Sequence, residues 1–130
     1  RDKIDIIVTS ATCWNDEDST FRKYMLKHSK DCFGTLEKEN CVGDLLWLPL
    51  GERKPITPDK TDIRAMTLLY DLDELSKFVA EDKNVLLVLG PCGMCNKTKT
   101  SVLKAILNQE KPLISHLVVD SRSAKELIKA

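Results

Sequence analysis

Apolar residues fall into two patterns that alternate along this chain. Short continuous runs rich in β-branched side chains read as buried strands: Ile4 to Thr9 (IDIIVT), Val85 to Leu89 and Ile114 to Val119. Between them the apolar positions recur at helical spacing. Phe21, Tyr24, Met25 and Leu26 predict a helix from Thr20 to about His28, with Ser19 placed to cap it. Leu72, Leu75, Phe78 and Val79 form a second stripe, opened by Asp71 with Glu74 at capping-box spacing. Val102, Leu103, Ile106 and Leu107 mark a helix from about Lys97 to Asn108, which Pro112 cannot continue. Ser123 and Glu126 open a last one. Residues 29–44 read as turn-rich, with a short helix after Thr35. Leu45 to Leu50 (LLWLPL) has strand character, confined by Pro49 to an edge or a strand end. Gly51 to Thr61 reads as a loop and Ile63 to Tyr70 as a further strand.

Strands alternating with helices predict an α/β fold: a mostly parallel, Rossmann-like sheet flanked by helices in three layers, one domain across residues 1–130. Right-handed crossovers then bring the strand C-termini to one rim. Thr9-Ser10-Ala11, the Gly90 to Cys95 turn and Asp120-Ser121 would lie along it, where open α/β sheets bind their ligands.

Composition narrows the function classes. Twenty basic residues balance twenty acidic ones in 130. That neutrality argues against a free-standing nucleic-acid-binding module, which carries a basic surface. No apolar run approaches a membrane span, and no signal peptide is visible. Five cysteines, an odd number, argue against a disulfide framework and for a reducing cytoplasm. A first residue of Arg1 rather than Met reads as a fragment, a partial domain. The acidic run Asn15-Asp16-Glu17-Asp18 reads as a solvated approach to the first helix rather than a metal site.

The densest chemistry lies between Gly90 and Thr100. A buried strand runs into a glycine turn and then a helix start, whose unpaired N–H groups favour an anion. Gly90 and Gly93 would admit a ligand close to the backbone, with Lys97 or Lys99 neutralising its charge. The bland alternative is a plain strand-to-helix turn with solvated lysines. The spacing breaks the P-loop pattern, which excludes that route to nucleotide hydrolysis. Cys92-Gly93-Met94-Cys95 also has the C-x-x-C of a thioredoxin-like thiol redox protein, without the preceding aromatic residue or a later cis-proline strand. Pro91-Cys92 with Cys95 equally matches the zinc half-site of cytidine deaminases. The upstream segments lack the glutamate which that reaction needs, leaving a degenerate deaminase-like domain. No second C-x-x-C supports a structural zinc on Cys13, Cys32 or Cys41.

Several residues outside that turn have a functional and a bland reading. Thr9 and Ser10 offer hydroxyls to the rim. Asp120 would face a ligand or cap the last helix, and Asp44 would orient a ligand hydroxyl or cap a turn. His28 and His116 have no nucleophile pattern nearby, and Trp14 and Trp47 read as packing or subunit-contact residues.

Taken in order, four segments resemble the effector-binding domain of SorC-type (DeoR-like) sugar-responsive bacterial transcriptional regulators. Ile4-Asp5-Ile6-Ile7-Val8 is similar to the family strand that starts acidic and leads to a G-I-G turn. Cys41-Val42-Gly43-Asp44 resembles its A-V-G-D segment, and Leu72 to Leu89 its helix and the strand ending in A-G-G. Val118-Val119-Asp120-Ser121-Arg122-Ser123-Ala124 resembles its closing T-D-x-x-T/A-A. Thr9-Ser10-Ala11 stands where the family has G-I-G, and the longer Gly90 to Cys95 turn where it has A-G-G. The resemblance implies a fold like glucosamine-6-phosphate deaminase and ribose-5-phosphate isomerase. It also implies a non-enzymatic oligomeric sensor of a sugar or sugar phosphate, without a cofactor. Its pocket positions map onto Thr9, Ser10, Asp44, Gly90, Gly93, Lys97, Lys99 and Asp120. DNA binding would belong to a helix-turn-helix outside this chain.

Overall fold

A computed structural model describes residues 3–57 and 71–129. The strand expected over Ile63 to Tyr70 lies outside the described residues. The fold is α/β, with a parallel three-stranded sheet flanked by helices. Its strands are β1 (Ile6–Thr9), β5 (Asn84–Leu89) and β6 (His116–Val119), in the order β1-β5-β6. Thr9 pairs with Leu87 and Leu89 with Val119, so the three C-terminal ends share one edge.

The strand period decides what is covered. Val85, Leu87 and Leu89 point from the central strand into the core. They meet Leu72, Leu75 and Phe78 of α3 (Leu72–Ala80) and Val102, Leu103 and Ile106 of α4 (Thr100–Leu107). Each such side chain contributes about 1.5–3 kcal/mol on full burial. The residues between them face the other way. Ile6 is 60% exposed, Val8 63% and Val118 53%, an apolar sheet face open to solvent among the described residues.

A single residue, Ser10, separates β1 from β2 (Ala11–Cys13), and the chain changes sheets there. β2, β3 (Gly43–Leu45) and β4 (Leu48–Leu50) form an antiparallel sheet in that order. The single strand expected from Leu45 to Leu50 is therefore a hairpin whose two-residue turn is Leu46-Trp47. Both turn residues are left-handed, at φ 55° and 63°. Such a turn ordinarily takes Asn-Gly. Gly43 has no freedom to change. A Cβ there would sit 2.2 Å from the Thr12 carbonyl oxygen and 2.6 Å from Val102 Cγ2.

α1 (Thr20–His28) runs where expected, with the Ser19 hydroxyl accepting from Arg22 N–H. A full helix, α2 (Lys30–Lys38), replaces the turn-rich segment with a short helix after Thr35. Its buried Cys32 and Leu36 close a second core with Trp14, Phe21, Met25 and Cys41. Both tryptophans pack here: Trp14 on Phe21 and Phe33, Trp47 on Phe21 and Tyr24. The Asp71–Glu74 capping box at α3 is complete, with both reciprocal bonds present. α4 starts at Thr100 rather than Lys97, and α5 (Ser121–Lys129) closes the chain.

Candidate functional site

The shared edge of the parallel strands carries the polar loops. β1 leaves at Thr9-Ser10, β5 at Gly90 and β6 at Asp120, so parallel pairing gathers these predicted residues along one rim. Ser10 and Gly90 are exposed, and Thr9 is half-buried with its hydroxyl on the Ser10 carbonyl at 3.2 Å.

The turn after β5 is closed by its own backbone. Cys92 N–H donates to the Lys97 carbonyl at 2.9 Å, and Asn96 N–H to the Cys92 carbonyl at 2.8 Å. Asn96, not a glycine, takes the left-handed conformation, at φ 57°. Gly90 and Gly93 have negative φ, and a Cβ on either would meet nothing within 4 Å. The fold itself therefore does not require glycine at either position. Closure holds residues 97–99 out of the helix, which is why α4 begins late. Its N-cap is Lys99, whose side chain gives the first turn no capping bond.

Lys99 reaches inward instead. Its Nζ donates to the Ala11 carbonyl at 3.1 Å, beneath the rim. The antiparallel register sets Thr12 opposite Asp44, and the Thr12 hydroxyl donates to the Asp44 carboxylate. Trp47 N–H donates to the other carboxylate oxygen at 3.3 Å. The Thr12 hydroxyl also lies 3.3 Å from that of Ser19, which links the cluster to the cap of α1. Asp44 is 5% exposed. Burial pushes its carboxyl up to about 6, while Thr12, Trp47 and the charge of Lys99 act against the rise. Asp44 and Lys99, predicted from separate segments, thus belong to one buried polar cluster under the rim.

Asp120 stands at the rim as the cap of α5. It accepts from the N–H groups of Arg122 and Ser123 at 3.1 Å each and from the Ser123 hydroxyl. That hydroxyl and those amides hold its carboxyl below the usual carboxylate range. Arg122 donates to the Asn96 carbonyl, and Glu126 accepts from the hydroxyls of Thr98 and Thr100 at 2.6 and 2.7 Å. The Thr98 and Thr100 hydroxyls hold Glu126 low. α5 therefore clamps the loop that leads into α4. Ser123 and Glu126 do not open the last helix, which starts at Ser121; the contacts of Glu126, Arg122 and Thr12 are not legible in the sequence, since nothing in their local pattern shows which segment they meet. Lys97 is exposed.

The predicted residues do not all converge on one cavity. An open cavity of about 1160 Å³ lies elsewhere, lined by Cys32, Thr35, Glu39 and the 51–57 loop, and none of them lines it. His28 stacks on Tyr24, and His116 shares a 2.9 Å hydrogen bond with Ser115. Burial pushes the Cys41 thiol up to about 12, which leaves it neutral. Among the described residues no helix is long and apolar enough to cross a membrane.

No family model matches the chain, and no curated protein matches it by sequence. Solved structures share its fold. A transcriptional regulator from Streptococcus pneumoniae TIGR4 aligns with a TM-score of 0.63 at 18% identity, over 96% of this chain and 42% of that one. A probable sor operon regulator from Shigella flexneri gives 0.63 at 14% identity, over 95% and 42%. A DeoR family transcriptional regulator from Listeria monocytogenes gives 0.64 at 20% identity, over 96% and 44%. The chain spans less than half the length of each of these neighbours.

Proposed function

We propose that this chain is part of the effector-binding domain of a SorC-type transcriptional regulator, and that it binds a sugar or sugar phosphate without transforming it. The observation that carries the reading is the rim: three parallel strands end together and present Thr9-Ser10, Gly90 to Lys97 and Asp120 side by side. Open α/β sheets bind ligands at such an edge. The fold shared with three regulators supports the same reading. Gly90 and Gly93 are open on the side a side chain would fill, which suits close approach by sugar hydroxyls. Of the two predicted lysines, Lys97 is the one available to a phosphate, because Lys99 is already bound to Ala11. Asp44 and Lys99 act from below, fixing the start of β2.

On this reading the protein is cytoplasmic and assembles as a homo-oligomer, and DNA contact belongs to a separate helix-turn-helix. The open apolar face of the parallel sheet supports contact with further protein. The ligand would switch the regulator by favouring one arrangement of subunits over another.

Thermal unfolding with a panel of neutral sugars and sugar phosphates tests the proposal. At least one raises the midpoint in a concentration-dependent way. Lys97→Ala removes the shift for phosphorylated ligands and spares any shift for neutral ones. No shift with any member at millimolar concentration overturns the effector reading.

A further inference from the structure

The rim reading leaves the two cysteines of the turn unused. Cys92 Sγ, Cys95 Sγ and an Asp16 carboxylate oxygen all lie within 4.8 Å of one another. Asp16 belongs to the acidic run that the sequence presents as solvated. The fold brings it from the loop after β2 to the turn after β5, a contact between two sheets. Both sides are held. The turn is closed by the Cys92–Lys97 and Asn96–Cys92 backbone bonds. Asp16 is fixed by its N–H on the Cys13 carbonyl at 3.2 Å, and its carboxylate accepts from Asp18 N–H at 2.9 Å. Carboxylates that ligate metals are commonly oriented by such a second bond.

We infer that Asp16, Cys92 and Cys95 bind a thiophilic divalent cation of the zinc class. Two sulfurs and one carboxylate oxygen are the donors such an ion prefers. A tetrahedral site with bonds of about 2.3 Å to sulfur and about 2.1 Å to oxygen needs ligand atoms roughly 3.5–3.8 Å apart. The three atoms reach that by closing at most about 1 Å. Cys92 is buried, Asp16 half-buried and Cys95 exposed, so the fourth position opens to solvent on the Cys95 side and takes water. Binding releases the two thiol protons to solvent and involves no change of oxidation state. Among the described residues the other cysteines join no such group. Cys13 lies 3.2 Å from the Ser101 hydroxyl, and Cys41 donates to the Gly43 carbonyl. The bound ion would tie the exit of β2 to the exit of β5.

The reduced chain, stripped with a chelator and titrated with Zn²⁺ against a chromophoric competitor, binds one ion. Co²⁺ in its place gives thiolate-to-metal absorption in the near ultraviolet and tetrahedral ligand-field bands in the visible. Cys95→Ser, at an exposed position, removes the charge-transfer intensity of one sulfur and weakens binding at least about tenfold; Asp16→Ala weakens it while keeping both thiolate contributions. Cys13→Ser changes neither. Binding unchanged in Cys95→Ser overturns the site, as does Co²⁺ uptake without thiolate absorption. A Cys92–Cys95 disulfide that forms in air despite equimolar Zn²⁺ overturns it in favour of a redox pair. None of these readouts depends on a sugar, so failure here leaves the effector reading intact.

Discussion

Replacing Asp44 with asparagine tests whether the buried cluster under the rim is built as described. The carboxyl is 5% exposed, and burial lifts it from an ordinary 3.8 to about 6. A rise of about two units at roughly 1.36 kcal/mol each makes the charged form cost the folded state about 3 kcal/mol. The folded chain therefore keeps this proton in a window where the unfolded chain has released it. Stability from this group is greatest below about pH 4, falls as pH rises through about 6, and is flat beyond. The asparagine side chain carries no charge and removes that slope. Its amide still accepts from the Thr12 hydroxyl but cannot accept from Trp47 N–H as well, a loss of about 1–2 kcal/mol. Asp44→Asn is thus more stable than the parent by about 1–2 kcal/mol near pH 7.5 and less stable by about 0.5–1.5 kcal/mol near pH 4. Urea unfolding followed by tryptophan fluorescence measures both, since Trp14 is buried in the native state. Other carboxylates titrate equally in both proteins, so the difference between them isolates this one. A difference that stays constant between the two pH values would refute the reasoning.

Two further glycine substitutions and one at a helix cap test the frame around the site. Gly43→Ala forces a methyl group against the Thr12 carbonyl and Val102, and lowers stability by about 1–3 kcal/mol in the same urea assay. Gly90→Ala, where nothing lies within 4 Å, leaves stability unchanged within about 0.5 kcal/mol. Asp71→Ala removes the bond from Glu74 N–H to the Asp71 carboxylate, leaves the residue-71 N–H free to donate to Glu74, and costs about 1 kcal/mol, read as a lower thermal midpoint.

Where local chemistry sufficed, the sequence was readable. Ser19 and the Asp71–Glu74 pair announce two helices by side chains that bond their own backbone. The strands β1, β5 and β6 are short β-branched runs, and their pairing makes the rim. The hairpin was hidden because its turn is Leu46-Trp47, two apolar residues in a left-handed conformation that usually calls for Asn and Gly. Asp44 supports one of them from below, through Trp47 N–H. α2 was hidden by Gly34 and by a pattern too short for a clear stripe, and its burial against Trp14 decides it. The glycines drew attention to the wrong place. Gly43, inside a strand, is the one held by close contact. In the site, Asp44 and Lys99 lie far apart in the sequence, and cross-strand register and the reach of a lysine join them. Asp16 could not be tied to the cysteines by spacing, because that contact spans two sheets.

Ser10 leaves the molecule almost no slack. One extended residue reaches only about 3.5 Å, so β1 and β2 cannot slide independently, although they belong to different sheets. Thr9 and Ala11 therefore stay near neighbours, and Ala11 pairs across the ladder with Leu45, the residue before the Leu46-Trp47 bend. The one-residue link thus sets the spacing of the two sheets at this corner of the molecule.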